Sequence, residues 1–454
     1  MTTSTTTERP LPPWAEIAAA GGTQLWVVAE LKARELWDEG VQTSTLSDAA
    51  RKKYKIKRQE ERRVRGLLQA HAWSAFREAN VVHLGAGVFF HDTADVDRYD
   101  IEDREARATA NELPKIDDAP GLAAALEITV SQLRWLAFHR EVDRGTHYQR
   151  WYVPKRDGSL RLISAPKPLL KRVQRWINRN VTERLPVHGA AHGFLAGRGI
   201  VSNALVHAGA SVVVKFDIKD FFPTITMPRV KGLLRKAGYT EQVATCLAML
   251  CTEPPRAEIE IDGKPHFVAT GPRSLPQGAP TSPSITNTLC LRLDSRLSGL
   301  AAKFGFVYTR YADDMTFSTS DAKRTGEANL GKLQAAVGRI VTDEGFTLHA
   351  DKTRVMRSGR RQKVTGLVVN TTDDGAPAVR VPRKIRRQLR AALHNRAQGK
   401  PGPDSLERLG GLAAYIFMTD EKLGRALLDE VARQRSATPS GETPPSTPPP
   451  TGAA

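Results

Sequence analysis

Cysteine is scarce in this 454-residue chain: Cys246, Cys251 and Cys290 are the only three, and none forms a CxxC pair. An odd count with no such pair argues against a disulfide framework. The opening "MTTSTTTERPLPPW" has no apolar core of a signal peptide, so reduced thiols and a cytoplasmic location are expected. No apolar run approaches the length of a membrane span, and no membrane partner is expected. Walker and GxGxxG loops are missing, as is any convincing internal repeat. Acidic charge is also short, with 49 Asp+Glu against 67 Lys+Arg and a net charge of +18. That imbalance favours a polyanionic partner, nucleic acid ahead of an acidic membrane surface.

A chain of this length exceeds one ordinary compact core, so two or three domains are expected. Residues 1–13 and 437–454 read as disordered; the second segment holds six prolines and one charge. Residues 14–120 read as a helical N-terminal extension. It includes "RKKYKIKRQEERRVR" (51–65), nine bases and two acids, read equally as a solvated face or an RNA contact. "YQRWYVPKRDGSLRLISAP" (148–166) predicts a hairpin turning at Lys155-Arg156-Asp157-Gly158. In "SVVVKFDIKDFFPTIT" the run Val212–Phe216 predicts a strand with Asp217 at its end. One helical stretch is expected over 228–251, then a polar Pro/Gly-rich segment, then a helix from about Ser282. "FGFVYTRYADDMTFSTS" (304–320) predicts strand, tight turn, strand. Residues 323–345 predict an amphipathic helix and "KVTGLVVN" (363–370) a further strand. Helices and strands alternate without βαβ spacing, which predicts an α+β fold with an antiparallel sheet.

The sharpest feature is the side-by-side pair Asp313-Asp314. Adjacent carboxylates repel, each raising the other's pKa, although in an exposed turn such a dipeptide needs no function. Asp217 at the end of one strand meets them if the two strands are neighbours. Three carboxylates without a Cys/His cluster suit hard divalent ions, Mg²⁺ or Mn²⁺, whose charge turns the repulsion into binding. Two such ions about 3.5–4 Å apart serve an in-line phosphoryl displacement.

"FDIKDFFPTI", "LPQGAPTSPSITN", "YADD" and "HADKTRV" stand in the order and spacing of reverse transcriptase palm motifs, over about residues 145–370. The resemblance implies a right-hand polymerase, with fingers and palm in 121–370 and a basic helical thumb in 371–436. It implies that Asp217 and Asp313 are the principal ligands of two metal ions, with the Ile218 carbonyl, and that Asp314 lies near the primer end. Phe222 resembles the aromatic gate under the sugar, which excludes a 2′-OH and implies dNTP substrates. Gln277 is placed beneath the incoming nucleotide, beside Gly278 where the backbone can approach closely. Lys155 and Arg161 are placed on the triphosphate, and Lys352 as the catalytic acid for pyrophosphate.

Two further elements resemble those of bacterial retron reverse transcriptases, including the longer myxobacterial type. They are the NAxxH run holding Asn203 and His207, and the VTG run holding Thr365. That resemblance implies a cognate structured non-coding RNA as template and primer, with priming from the 2′-OH of an internal guanosine. The implied product is branched multicopy single-stranded DNA, an RNA–DNA hybrid. A separate effector protein and a role in defence against phage are also implied. Independently, "RVPRKIRRQLRAALHNRAQGK" (380–400) has eight Lys/Arg and no acid. As a helix it turns Ile385, Leu389 and Leu393 inward and offers Arg386, Arg387 and Arg390 to RNA. Asp404-x-x-Glu407 predicts a capping box for the next helix. The competing readings are a group II intron or other defence reverse transcriptase, an RNA-templated RNA polymerase, and an idle RNA-binding protein on a polymerase fold.

Overall fold

The computed structural model describes residues 11–37, 46–79, 84–85, 88, 103–155, 158–372, 374–400 and 402–437. The expected disorder of 1–10 and 438–454, and the hairpin residues Arg156 and Asp157, lie outside the described residues.

The chain opens with helices α1 (Trp14–Ala19), α2 (Thr23–Ala33), α3 (Asp48–Ala79), α4 (Arg104–Ala110), α5 (Ala119–Ala125) and α6 (Val130–Ala137). Strand β1 (Val142–Asp143) precedes the hairpin β2 (Tyr148–Pro154)–β3 (Leu160–Pro166), followed by α7 (Pro168–Asn180) and α8 (Ile200–Leu205). Then come β4 (Val212–Asp217), α9 (Met227–Ala237), α10 (Glu241–Cys251) and a second hairpin, β5 (Arg256–Ile261)–β6 (Lys264–Ala269). Helices α11 (Ser282–Leu289) and α12 (Leu291–Phe304) lead into β7 (Val307–Tyr311), β8 (Asp314–Thr319), α13 (Glu327–Asp343) and β9 (Arg354–Arg357). The short pair β10 (Lys363–Val364)–β11 (Leu367–Val368) and helices α14 (Arg383–Ala397), α15 (Leu406–Phe417) and α16 (Glu421–Ala437) complete it.

These elements form two compact units that do not follow chain order: residues 1–185 with 225–282, and residues 186–224 with 283–454. In the first unit α3 sets Val64, Leu68, Ala72 and Ala75 against Ile17, Trp26, Val27 and Leu31, a stripe at helical spacing that makes a small core. The central helix is α10, packed by α5, α6, α7 and α9 and buried at nearly every position. It carries Cys246 and Cys251, whose thiols burial pushes up to about 12, so both stay protonated.

In the second unit the sheet runs β7-β8-β4-β9, antiparallel throughout. Its central strand β4 reads Val-Val-Val-Lys-Phe-Asp, with Val212, Val213, Val214 and Phe216 buried. A nearly continuous apolar run suits a strand covered on both faces. Behind the sheet, β10, β11 and α14–α16 share a core with Val213 through Val364, Leu367, Leu389, Leu409 and Ile416.

Several local expectations change. The single helix over 228–251 is two, because α9 ends at Gly238 and Thr240 caps α10. The polar segment after it holds the β5–β6 hairpin, turned by Asp262-Gly263 with both residues at positive φ. "KVTGLVVN" is not one strand: Thr365-Gly366, both at positive φ, fold β11 back on β10. Ser405, not Asp404, caps α15 by accepting from the Arg408 N–H, while Asp404 pairs with the Arg408 side chain.

Candidate active site

Strand register brings the acids together. Asp217 is paired with Asp314 across β4 and β8, and the Ile218 N–H donates to the Asp313 carbonyl at 3.0 Å. Asp313 lies with Ala312 in the two-residue turn that closes β7 onto β8. Ala312 sits at φ +56, a left-handed conformation costly for a residue with a side chain. Gly193 packs beneath it; a Cβ there would lie 2.7 Å from the Ala312 nitrogen, so a larger residue would displace the turn.

Burial, then the charges of Asp217 and Asp314, push the Asp313 pKa up to about 6 against the pull of Lys352. The cluster is therefore a well of negative potential. Two lysines partly fill it: Lys352 Nζ donates to Asp217 Oδ1 at 2.8 Å, and Lys215 Nζ to Asp314 Oδ2 at 3.1 Å. The hydrogen bond to Asp217 raises the Lys352 pKa, holding it as the ammonium. Among the described residues no three His, Cys, Asp or Glu converge as a ready metal-ligand set. The donor chemistry nevertheless fits a hard divalent cation, with three carboxylates and the Ile218 carbonyl, which accepts no hydrogen bond among the described residues.

Beneath the turn lies a network that sequence reasoning missed. Arg310 and Asp294 are both 0% exposed and joined in a bidentate pair, Nε to Oδ1 at 2.8 Å and Nη2 to Oδ2 at 2.7 Å. Tyr308 Oη also donates to Asp294 Oδ1. The remaining Arg310 nitrogen, Nη1, donates to Asn287 Oδ1 and to the Ala312 carbonyl, each at 3.1 Å. Asn287 Nδ2 in turn donates to the Gly193 carbonyl at 2.8 Å. Arg310 thus clamps the strained turn that carries Asp313. Its signal was an acid, Asp294, on the buried face of α12 between Leu293 and Leu297, and an arginine amid the buried residues of strand β7.

Phe222 is half-buried, with its ring centroid 6.3 Å from Phe194 and 5.9 Å from Phe221. Asp217, Ile218, Phe222, Asp313, Asp314 and Lys352 all belong to the second unit. Lys155, Arg161 and Gln277 belong to the first. Lys155 and Arg161 are exposed on the β2–β3 hairpin, and the Gln277 carbonyl accepts from the Ser164 N–H. The close approach at Gly278 is to protein: at φ +127, a Cβ there would lie 2.7 Å from the Ser164 carbonyl.

Asn203 and His207 correct the expectation of RNA contact. They are 1% and 0% exposed and present no side chain to a ligand. His207 ties α8 to the sheet, with Nδ1 2.7 Å from Ser318 Oγ and Nε2 2.7 Å from Thr309 Oγ1. The Thr365 hydroxyl is likewise spent on protein, donating to the Ile200 carbonyl at 3.0 Å. Burial, then the nearby His192, pushes the His207 pKa down to about 3. The unfolded chain, near pKa 6.5, therefore takes up this proton first as pH falls. The contribution to stability is full above about pH 6.5 and is lost progressively towards about pH 3. Moving from pH 7.5 to pH 5 is expected to cost about 2 kcal/mol through this group. Urea midpoints at the two pH values check it: wild type should lose more stability than His207→Gln.

A family model described as "Reverse transcriptase (RNA-dependent DNA polymerase)" matches residues 153–377, the span holding the acids, the clamp and the β2–β3 hairpin from Val153 onward. The chain is 54% identical over 436 residues to Retron Mx162 reverse transcriptase of Myxococcus xanthus, covering 94% of this chain and 90% of that one. It is 43% identical to Retron Mx65 reverse transcriptase of the same organism, over 71% of this chain and 73% of that one. Retron Ec86 reverse transcriptase of Escherichia coli is 29% identical, over 71% of this chain and 90% of the relative. The chain belongs to the retron reverse transcriptases: it is an RNA-directed DNA polymerase of a retron. Among the described residues no helix is long and apolar enough to cross a membrane.

Proposed function

We propose that this polymerase copies a cognate structured non-coding RNA that is both template and primer, starting from an internal guanosine 2′-OH. The product is branched multicopy single-stranded DNA. The observation that carries the catalytic part of this reading is the β4–β8 register, which sets Asp217 opposite Asp314 and beside Asp313. Asp217, Asp313, Asp314 and the Ile218 carbonyl would hold two Mg²⁺ ions, with Mn²⁺ suited to the same oxygens. When bound, such ions stabilise the charge on the attacking and leaving oxygens of nucleotidyl transfer.

The protein's own groups do the rest. Phe222, backed by Phe194 and Phe221, presents a fixed ring under the sugar and selects dNTPs. Lys155 and Arg161 hold the triphosphate with charge-assisted contacts, and Gln277 lies beneath the base. Lys352, kept protonated beside Asp217, donates its proton to pyrophosphate as it leaves. The family resemblance supports the priming, a separate effector protein and a role in defence against phage.

Helix α14 serves the RNA. Leu389 and Leu393 are buried, Arg387 and Arg390 are exposed, and Arg386 is half-buried. Arg386→Gln, Arg387→Gln and Arg390→Gln together are expected to weaken cognate-RNA binding. The log–log salt slope should fall by about 2–3, at roughly 0.7–0.9 for each phosphate that is no longer neutralised. Titration at several salt concentrations checks it, and an unchanged affinity and slope would count against an RNA role for α14.

Synthesis on the RNA encoded beside the gene tests the function. With dNTPs and Mg²⁺, labelled DNA should remain attached to RNA under denaturing conditions and shift on ribonuclease treatment. DNA released free of RNA would overturn 2′-OH priming. A wild-type chain that incorporates no dNTP on this RNA would overturn the proposed function itself.

A further inference from the structure

Strand β9 is the outer strand of the β7-β8-β4-β9 sheet and pairs with β4 alone among the described residues. The Ser358 N–H donates to the Ser211 carbonyl at 2.9 Å, which sets the phase of the antiparallel ladder. Arg354 and Met356 therefore turn their backbone groups towards β4, and Val355 and Arg357 turn theirs outward. The Arg357 carbonyl accepts from the Arg360 N–H at 2.9 Å. The Val355 N–H, the Val355 carbonyl and the Arg357 N–H have no partner among the described residues. The Val355 side chain is 40% exposed, although it stands opposite the buried Val214 on the same face of the sheet.

This edge borders a groove of about 830 Å³ within the second unit. Its far wall is one face of α13, where Glu327, Leu330, Gly331 and Gln334 fall at i, i+3, i+4 and i+7. At Gly331 a Cβ would meet no atom within 4 Å, so the wall is open where a larger residue would narrow it. Leu330 and Met356 give the groove apolar surface beside Val355. An open strand edge facing a helix across such a cleft is the geometry in which an extended peptide adds a strand to a sheet.

Charge selects the partner. Arg357, Arg360 and Arg361 line the groove, all exposed and in no ion pair with a described residue, against one acid, Glu327. Arginines elsewhere in this unit are balanced: Arg292 and Arg296 on α12 both pair with Glu344. A second copy of β9 would bring like charge to the edge, and charge of this kind keeps exposed strands from pairing with themselves. RNA phosphates would satisfy the arginines. No aromatic ring lines the groove to stack a base, however, and a nucleic acid has no ladder of N–H and C=O groups to match the open edge.

We infer that this groove is a docking site for an extended acidic segment of a partner protein. The segment adds a strand beside β9 and sets its acids against Arg357, Arg360 and Arg361. The site uses none of the residues assigned to nucleotidyl transfer and goes beyond the proposed function.

The probe is a labelled peptide of about 12 residues alternating Glu and Val, titrated into the full chain, with Lys in place of Glu as the control. Wild type should bind the acidic peptide with a Kd of about 10–100 μM, and the basic one at least about tenfold more weakly. Val355→Pro removes an N–H that points away from β4, where an edge strand accepts proline, so this variant should melt within a few degrees of wild type. Gly331→Leu fills the groove and replaces a poor helix former, so it should melt at or above wild type. Each should bind the acidic peptide at least about tenfold more weakly, and Arg360→Glu with Arg361→Glu should do the same. No saturable binding by wild type below about 1 mM would overturn the inference, as would full affinity in either the Val355 or the Gly331 variant once folded. If the arginine pair alone matters, and weakens binding of a single-stranded RNA by the same factor, the groove is an RNA surface and holds no peptide strand. Failure of the proposed function looks different: a wild type that binds the acidic peptide yet incorporates no dNTP overturns that reading and leaves this one standing.

Discussion

Asp313→Asn and Asp314→Asn together are expected to abolish dNTP incorporation on an RNA template, by at least about a thousandfold. Several kcal/mol of transition-state stabilisation depend on these oxygens, and each 1.36 kcal/mol is a factor of ten. Asparagine preserves the shape of the turn, so the loss would be one of charge. The neutral variant also removes the buried charge and the repulsion from its neighbours that together lift the Asp313 pKa to about 6. The fold should therefore be kept, and the melting temperature should be unchanged or slightly higher. Primer extension with Mg²⁺, run beside a thermal melt, checks both halves. Near-wild-type extension by the folded variant would remove Asp313 and Asp314 from the proposed chemistry.

The second large effect concerns Arg310. Replacing it by methionine leaves Asp294 fully buried with Tyr308 as its remaining partner, and is expected to destabilise the fold by about 3–5 kcal/mol. Removing both charges, as in Arg310→Met with Asp294→Leu, should recover much of that stability, because no uncompensated charge remains inside. It should not recover activity in proportion. The Ala312 carbonyl would still lack its donor, and the turn at φ +56 would be without the clamp that holds Asp313 in place. Urea midpoints and kcat, measured on all three proteins, separate the two roles. If stability and kcat return together in the double variant, Arg310 is a structural residue alone; if kcat stays low, it is a positioning residue for Asp313.

The corrections share one cause. The spacing of Asn203 and His207 matches a family element and so points them towards RNA. Spacing along the chain does not reveal that the partners of His207 are Thr309 and Ser318, more than 100 positions away. Asp294 and Arg310 read as an ordinary helix acid and strand cation, because the pair exists only once α12 packs on the sheet. The Asp262-Gly263 hairpin is a different case. Its turn dipeptide and the alternation of Arg256–Ile261 are visible, but β5 is mostly exposed and β6 offers only the short apolar run Phe267–Ala269.

By itself, the sequence determined what depends on nearest neighbours and on motif order. It specified the strand ending at Asp217, a tight turn at the Asp313-Asp314 pair (which the structure sets one residue earlier, at Ala312-Asp313), the inward stripe Leu389/Leu393 under a basic face, and the polymerase family to which those motifs belong. Local propensity and side-chain periodicity act over a few residues, so they can be read without the fold. The tertiary structure alone decided which groups share a site. It showed that Lys352 and Lys215 hold Asp217 and Asp314, that Arg310 supports the turn, and that His207 faces inward. Burial, pairing and pKa depend on distances through space between segments far apart in the chain, and no local pattern encodes those distances.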